Sequence, residues 1–145
     1  MTLHPCILLV DDSPGECELF GRALVQAGVQ AELVVTDGNR SAMKYLNDHI
    51  NGDEPTLVLL DLKLRGELGL DTLRQIKQDI RFLHIPVVIL TSSDDARDLQ
   101  SCYRAGANGY VIKPSTFDEL VQCTGDLCRY WINRNRTPDI TEARC

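Results

Sequence analysis

The chain has 145 residues, 43% of them hydrophobic, with a formal net charge of −6 and a pI near 5.0. That length fits one domain able to bury roughly 70% of its unfolded surface, so neither disulfides nor a structural metal are needed to complete the core. The acidic balance lacks the attraction for phosphates on which nucleic-acid and anionic-membrane surfaces depend. No apolar run approaches the ~20 residues that span a bilayer, and Met1-Thr2-Leu3-His4-Pro5 lacks the basic region followed by a long apolar one that a leader shows, so a cytoplasmic chain is expected.

In chain order, Ile7-Leu8-Leu9-Val10 is an apolar strand that stops at Asp11-Asp12. Ser13-Pro14-Gly15-Glu16 reads as an N-cap, a first-turn proline and a capping-box glutamate, and Leu19, Phe20, Ala23, Leu24 and Ala27 follow at helical spacing to Gly28. Ala31 to Thr36 is a short strand before the Asp37-Gly38 turn, and Ala42, Tyr45, Leu46 and His49/Ile50 make the next helical stripe. Leu57-Val58-Leu59-Leu60 is a strand ending at Asp61. Leu70, Leu73, Ile76 and Ile80 then predict a helix from Gly69 to Arg81. Val87-Val88-Ile89-Leu90 ends at Thr91-Ser92, and Ser93 or Asp94 is placed to cap a helix carrying Ala96, Leu99, Cys102 and Tyr103. Tyr110-Val111-Ile112 ends at Lys113-Pro114, and Phe117, Leu120, Val121, Thr124, Cys128 and Trp131 form the last stripe. Gly125 is out of place inside it, costing roughly 1 kcal/mol relative to alanine.

Strand and helix therefore alternate five times, with near-continuous apolar strands, as when helices cover both faces of a parallel sheet. Right-handed crossovers put the carboxyl ends of all strands on one side, where ligands of such sheets bind. Cys6, Cys17, Cys102, Cys123, Cys128 and Cys145 lack paired spacing, so reduced, mostly buried thiols are expected. With His4, His49 and His84 scattered and no Cys-x-x-Cys, zinc is not expected.

Asp11, Asp12 and Asp61 brought together would repel one another unless protonated or joined by a cation, and a hard divalent ion such as Mg2+ is the expected partner. Lys113 could contact a phosphoryl group on that ion, and Thr91 could donate to it, so that Asp61 attacks in line and forms an acyl phosphate. Singly, each piece has a plainer reading: Asp11-Asp12 as the lead into a helix, Asp61 as a turn residue, Thr91-Ser92-Ser93 as a cap, Lys113 as a solvated side chain. Their joint occurrence at the ends of successive strands is what makes a site.

With Asp11-Asp12, Asp61 after its strand, Thr91 closing Val87 to Ser92, and Tyr110 to Pro114, residues 5 to 132 resemble the receiver domain of bacterial two-component response regulators. The resemblance implies a flavodoxin-like (βα)5 three-layer α/β sandwich whose five-stranded parallel sheet has the order 2-1-3-4-5. It implies Asp61 as phosphoacceptor for a histidine kinase and Mg2+ held by Asp12 directly, by Asp11 mostly through water, by Asp61 and by the backbone carbonyl of Lys63. It further implies Thr91 and Tyr110 as a switch pair, Lys113 as the phosphate contact, a cis bond to Pro114, and Lys63 and Ser93 as residues that set the phosphoryl lifetime. No enzyme activity is implied beyond self-phosphorylation from a phosphodonor and autodephosphorylation.

The loop after Asp61 departs from the family pattern, with Arg65 where many receivers have proline and Leu68-Gly69 where they have Asp-Gly, and is expected to be mobile. Residues 133 to 145 read as a polar tail with no output domain. Output is thus expected by contact through helix 4, strand 5 and helix 5, with Tyr130 and Trp131 as anchors or Trp131 as a core cover. Asp12 to Gly15, Ile85 to Ser93 and Tyr130-Trp131 also resemble stand-alone receivers serving bacterial phytochrome kinases, which implies a homodimer. A phosphorelay intermediate remains an alternative. A phosphohydrolase is disfavoured because Lys63 stands where its general acid is needed, and a flavin or nucleotide module because Asp11 to Pro14 lacks phosphate-cradling glycines.

Overall fold

The protein, seen in a computed structural model, is described over residues 5–138. Five parallel strands, β1 (Cys6–Val10), β2 (Glu32–Thr36), β3 (Leu57–Leu60), β6 (Val87–Thr91) and β7 (Gly109–Ile112), lie in the order β2-β1-β3-β6-β7. This is the expected flavodoxin-like order. Between β3 and β6 lie two short strands, β4 (Lys63–Leu64) and β5 (Glu67–Leu68), which pair antiparallel as a separate hairpin. The helices are α1 (Pro14–Gln26), α2 (Asn39–Asp48), α3 (Gly69–Gln78), α4 (Ala96–Arg104) and α5 (Phe117–Trp131).

Alternation along the strands builds two cores. Ile7, Leu9, Leu57, Leu59, Val88 and Leu90 meet Phe20 and Leu24 of α1 and Leu127 and Cys128 of α5. Leu8, Val10, Val58, Leu60, Val87 and Ile89 meet Leu46 of α2, Leu73 and Ile76 of α3, and Cys102 of α4. Both faces are covered, which is why the central strands are apolar at every position. Gly125 faces Ala27, and a Cβ on it would make ordinary contact there at 3.6 Å and meet only the mobile end of Arg129 at 3.1 Å, so packing does not demand a glycine at this position.

Several boundaries differ from expectation. α3 stops at Gln78 because Asp79 leaves the helical region and its carboxylate accepts from Arg81 N at 2.9 Å and pairs with the Arg81 guanidinium at 2.7 Å. Ile80 is consequently exposed, while Phe82, outside the predicted stripe, is buried. Asp95, not Ser93 or Asp94, caps α4 by accepting from Arg97 N. Lys113–Pro114 is trans, not cis; the two isomers at proline are separated by only ~0.5–1 kcal/mol in a free chain. The segment after Asp61, read from the sequence as a loop, is the β4–β5 hairpin.

The described cysteines, Cys6, Cys17, Cys102, Cys123 and Cys128, are free thiols, and burial pushes each of them above the ordinary thiol range. Cys145, and residues 139–145 of the predicted tail, lie outside the described residues. No helix among the described residues is long and apolar enough to cross a membrane.

Candidate functional site

Backbone pairing carries the chemical residues to one edge of the sheet. Asp11 N donates to Thr36 O at 3.0 Å, Asp61 N to Val10 O at 3.0 Å, and Lys113 N to Thr91 O at 2.7 Å, so each residue is held as a continuation of its strand. The side chains then converge on the Lys113 ammonium. Its Nζ lies 3.0 Å from Asp61 Oδ2, 3.1 Å from Asp11 Oδ2 and 3.1 Å from Glu16 Oε2.

Asp11 and Asp61 are both buried, and each has a second partner: Ser13 N donates to Asp11 Oδ1 at 2.9 Å and Lys63 N to Asp61 Oδ1 at 3.2 Å. Burial pushes the Asp11 carboxyl above the usual carboxylate range, and the Ser13 amide and the Lys113 charge only partly offset it. For Lys113 burial acts to lower the pKa, but the bonds and charges of Asp61 and Asp11 outweigh it and hold the ammonium above its ordinary value. The site keeps one cation among three carboxylates and remains short of positive charge.

Glu16 is the residue that sequence reasoning assigned elsewhere. Ser13 caps α1 by accepting from Glu16 N, but the expected return bond from the Glu16 side chain to Ser13 N is taken by Asp11. Freed of that role, Glu16 reaches Lys113 from the first turn of α1. Asp12 differs in the other direction. Its carboxylate accepts from Arg65 N in the hairpin and is not part of the cluster formed by Asp11, Glu16 and Asp61, whose oxygens lie within 4.8 Å of one another.

That cluster offers hard oxygen donors and excess negative charge, the chemistry a small divalent cation requires. Thr91 is buried at the end of β6, its hydroxyl accepting from Ser93 N at 3.4 Å. Tyr110 is half-buried on β7 and donates its hydroxyl to Ser93 O at 2.8 Å, so both expected switch residues contact the same residue of the β6–α4 loop. Ser93 is further tied by its own hydroxyl to Asp98 of α4. The Lys63 side chain is exposed, and its amide serves Asp61.

Residues 7–124 match the family described as response regulator receiver domain. The chain belongs to that family. The receiver is 37% identical over 134 residues to the probable methanogenesis regulatory protein FilR2 of Methanothrix harundinacea, spanning 91% of this chain and 86% of that protein. It is 30% identical over 135 residues to response regulator Rcp1 of Synechocystis, spanning 91% and 92% respectively. In three dimensions it resembles the phosphorylated cyanobacterial phytochrome response regulator RcpA, with a TM-score of 0.85 at 31% identity over 94% of this chain and 100% of that one. It also resembles the Mn(2+)-bound form of Rcp1, with a TM-score of 0.81 at 30% identity over 93% and 99%. Receivers act with histidine kinases and carry an acidic cation pocket, to which the cluster at Asp11, Glu16 and Asp61 corresponds in kind.

Proposed function

We propose that this receiver is a phosphorylation-dependent response regulator that takes a phosphoryl group from a histidine kinase onto Asp61. The observation that carries the reading is the Lys113 ammonium, 3.0 Å from Asp61 and 3.1 Å from Asp11 at the carboxyl edge of the sheet. A nucleophilic carboxylate needs a neighbouring positive charge to receive a phosphoryl dianion, and Lys113 supplies one as a point charge. In the step itself an Asp61 oxygen bonds to phosphorus as the bond from phosphorus to the kinase imidazole breaks, leaving an acyl phosphate on Asp61.

Asp11, Asp12 and Asp61, with the Lys63 carbonyl and with Glu16 at the rim, would hold Mg2+, which when bound screens the carboxylates and orients phosphoryl oxygens. Lys113 keeps its ion pair to Asp11 and turns its remaining donors to the new phosphate. Thr91 turns its O–H to a phosphoryl oxygen and, through the Ser93 amide that donates to the same hydroxyl, draws on the loop that Tyr110 also holds. The added charge is thereby converted into a rearranged β6–α4 loop and α4. Water attack on phosphorus later returns the carboxylate.

Similarity to RcpA and Rcp1 supports a phytochrome-type kinase as the donor. Exposed Leu99 and Tyr103 on α4, Ile112 on β7 and Tyr130 on α5 support output or self-association through that face. The reading is tested by intact-mass measurement after incubation with a small phosphodonor and Mg2+. A labile phosphate adduct is expected on the natural chain and absent from Asp61→Asn or after chelation. An undiminished adduct on Asp61→Asn overturns the assignment.

A further inference from the structure

The β4–β5 hairpin is fastened at two points. Arg65 N donates to Asp12 Oδ2, and Glu67 Oε1 accepts from Asn39 N, the first residue of α2. α2 is closed only in part from within: the Ser41 hydroxyl accepts from the Gly38 and Asp37 amides, but the N-cap, Gly38, has no side chain to offer, so the Asn39 amide has to be capped from outside. Glu67 takes over that task, with a carboxylate suited to the positive end of the helix. The fit is close, since a Cβ on Gly38 would stand 2.5 Å from Glu67 Oε1. Thr72 of α3 adds a bond from its hydroxyl to Asn39 Oδ1 at 3.2 Å, so the anchor point is itself held.

We propose that Arg65 and Glu67 are positioning residues for Asp12, and that the anchored hairpin holds the Asp12 carboxylate out of the acidic cluster until a divalent cation draws it in. The inference rests on the reading of Asp12 as a cation ligand. In the structure Asp11, Glu16 and Asp61 share one cluster while Asp12 is spent on the hairpin. Only Asp12 Oδ2 accepts from the Arg65 amide, and as the carboxylate swings as a whole into the cluster it gives up that amide, a hydrogen bond to a charged acceptor. Such a bond weighs on the order of tenfold in an equilibrium. Hairpin anchoring and cation binding therefore oppose each other, and by linkage each weakens the other equally. Glu67 acts at a distance: without its hold on α2 the hairpin loosens, and the Arg65 amide no longer waits in place for Asp12.

The turn itself permits a clean test. Arg65 is outside the positive-φ region and Gly66 has a φ of 75°, which matches a type II turn, in which proline is favoured at the first central position. Arg65→Pro deletes the N–H and keeps the turn. Calorimetric titration with Mg2+ or Mn2+ alone, without phosphodonor, is expected to show roughly three- to tenfold tighter binding in Arg65→Pro and in Glu67→Ala. Arg65→Gln, which keeps the N–H, and Glu67→Gln, which keeps an acceptor for Asn39, are expected within about twofold of the natural chain.

The direction in Glu67→Ala is decisive, since removing a negative charge by itself weakens cation binding, as does general damage to the fold. Hydrogen exchange supplies the reciprocal readout: saturating Mg2+ is expected to speed exchange of the Arg65 amide. Weaker or unchanged cation binding in Glu67→Ala and Arg65→Pro, or a slower Arg65 amide with Mg2+, overturns the inference and leaves the phosphoacceptor reading intact. A natural chain that takes up neither cation removes both together.

Discussion

Glu16 Oε2 and Lys113 Nζ lie 3.1 Å apart, joining the first turn of α1 to the residue that follows β7. The pair makes Lys113 the common counter-ion of three carboxylates drawn from three parts of the chain. Asp11 and Asp61 are 3% and 10% exposed at the side chain while Glu16 is 48% exposed, so the three are not equivalent. Lys113→Met strands two buried carboxylates and is expected to lower unfolding stability by about 2–4 kcal/mol, with part of the loss restored by Mg2+. Glu16→Gln removes a solvent-screened pair and is expected to change it by under about 1 kcal/mol. Urea denaturation of both variants with and without Mg2+ checks this; equal effects would show that burial does not set the ranking.

A second expectation concerns Gly69, which opens α3. Its N–H donates to Leu62 O at 2.8 Å, and a Cβ there would overlap the Asp61 carbonyl oxygen and stand 2.9 Å from Leu62 Cα. The obstructing atoms are backbone, so no rotamer relieves them. Gly69→Ala is expected to displace Asp61, cost about 1–3 kcal/mol and slow adduct formation. Thermal melting and intact mass measure the two effects, and a variant normal in both would mean that the backbone yields there at no cost.

Both residues bear on what could be read from sequence. The meeting of Asp11, Asp61 and Lys113 was legible because each ends an apolar strand and parallel strands share a carboxyl edge. Glu16 was not, because a glutamate three residues after Ser13 satisfies the capping-box pattern; only the fold shows that Asp11 occupies the Ser13 amide first. The hairpin left one trace, the Arg65-Gly66 turn, since strands of two residues carry no periodicity. The close approach at Gly69 left none, because a glycine before a helical stripe reads only as a boundary. Asp12 was read as a direct cation ligand beside Asp11 and Asp61; the structure ties its carboxylate to the Arg65 amide instead, a bond between residues 53 apart and beyond any local pattern.

Tyr110 and Ser93 give a third test. The Tyr110 hydroxyl donates to the Ser93 carbonyl at 2.8 Å, holding the β6–α4 loop from β7. Tyr110→Phe keeps the ring and is expected to cost about 0.5–1.5 kcal/mol, since the half-buried carbonyl can regain water. Adduct formation on Asp61 should persist, while hydrogen exchange over residues 93–104 should quicken before phosphorylation and respond less to beryllofluoride. An exchange response equal to that of the natural chain would remove Tyr110 from the coupling.

The exposed face of α4, β7 and α5 makes a fourth. Tyr103, Ile112 and Tyr130 are each 51% exposed, and Trp131 stands edge-on to Tyr130 with ring centroids 4.9 Å apart. Apolar groups so placed favour self-association, and light scattering is expected to show a dimer that strengthens with beryllofluoride. Ile112→Ser with Tyr130→Ser should yield a monomer without loss of the Asp61 adduct. A natural chain that is monomeric in both states counts against this use of the face.

Lys77 gives a prediction remote from the site. Its Nζ donates to Leu83 O at 3.0 Å and Ile85 O at 2.7 Å, and burial without a carboxylate partner pushes it down to about 8. The unfolded chain holds that proton to about pH 10.4, so between these values the unfolded state binds more protons and this residue's contribution to stability rises with pH. Below about pH 8 the contribution is lost, because the ammonium must then be carried half-buried. The buried thiols act in the opposite sense: their raised values mean that stability falls as pH passes the ordinary thiol range. Comparing the natural chain with Lys77→Met at each pH cancels the thiols. The difference in unfolding free energy from urea titration is expected to shift toward the natural chain between pH 8 and 10, by on the order of 1–2 kcal/mol in all. A difference flat across that window would show that the two carbonyl acceptors hold the ammonium as well as water does.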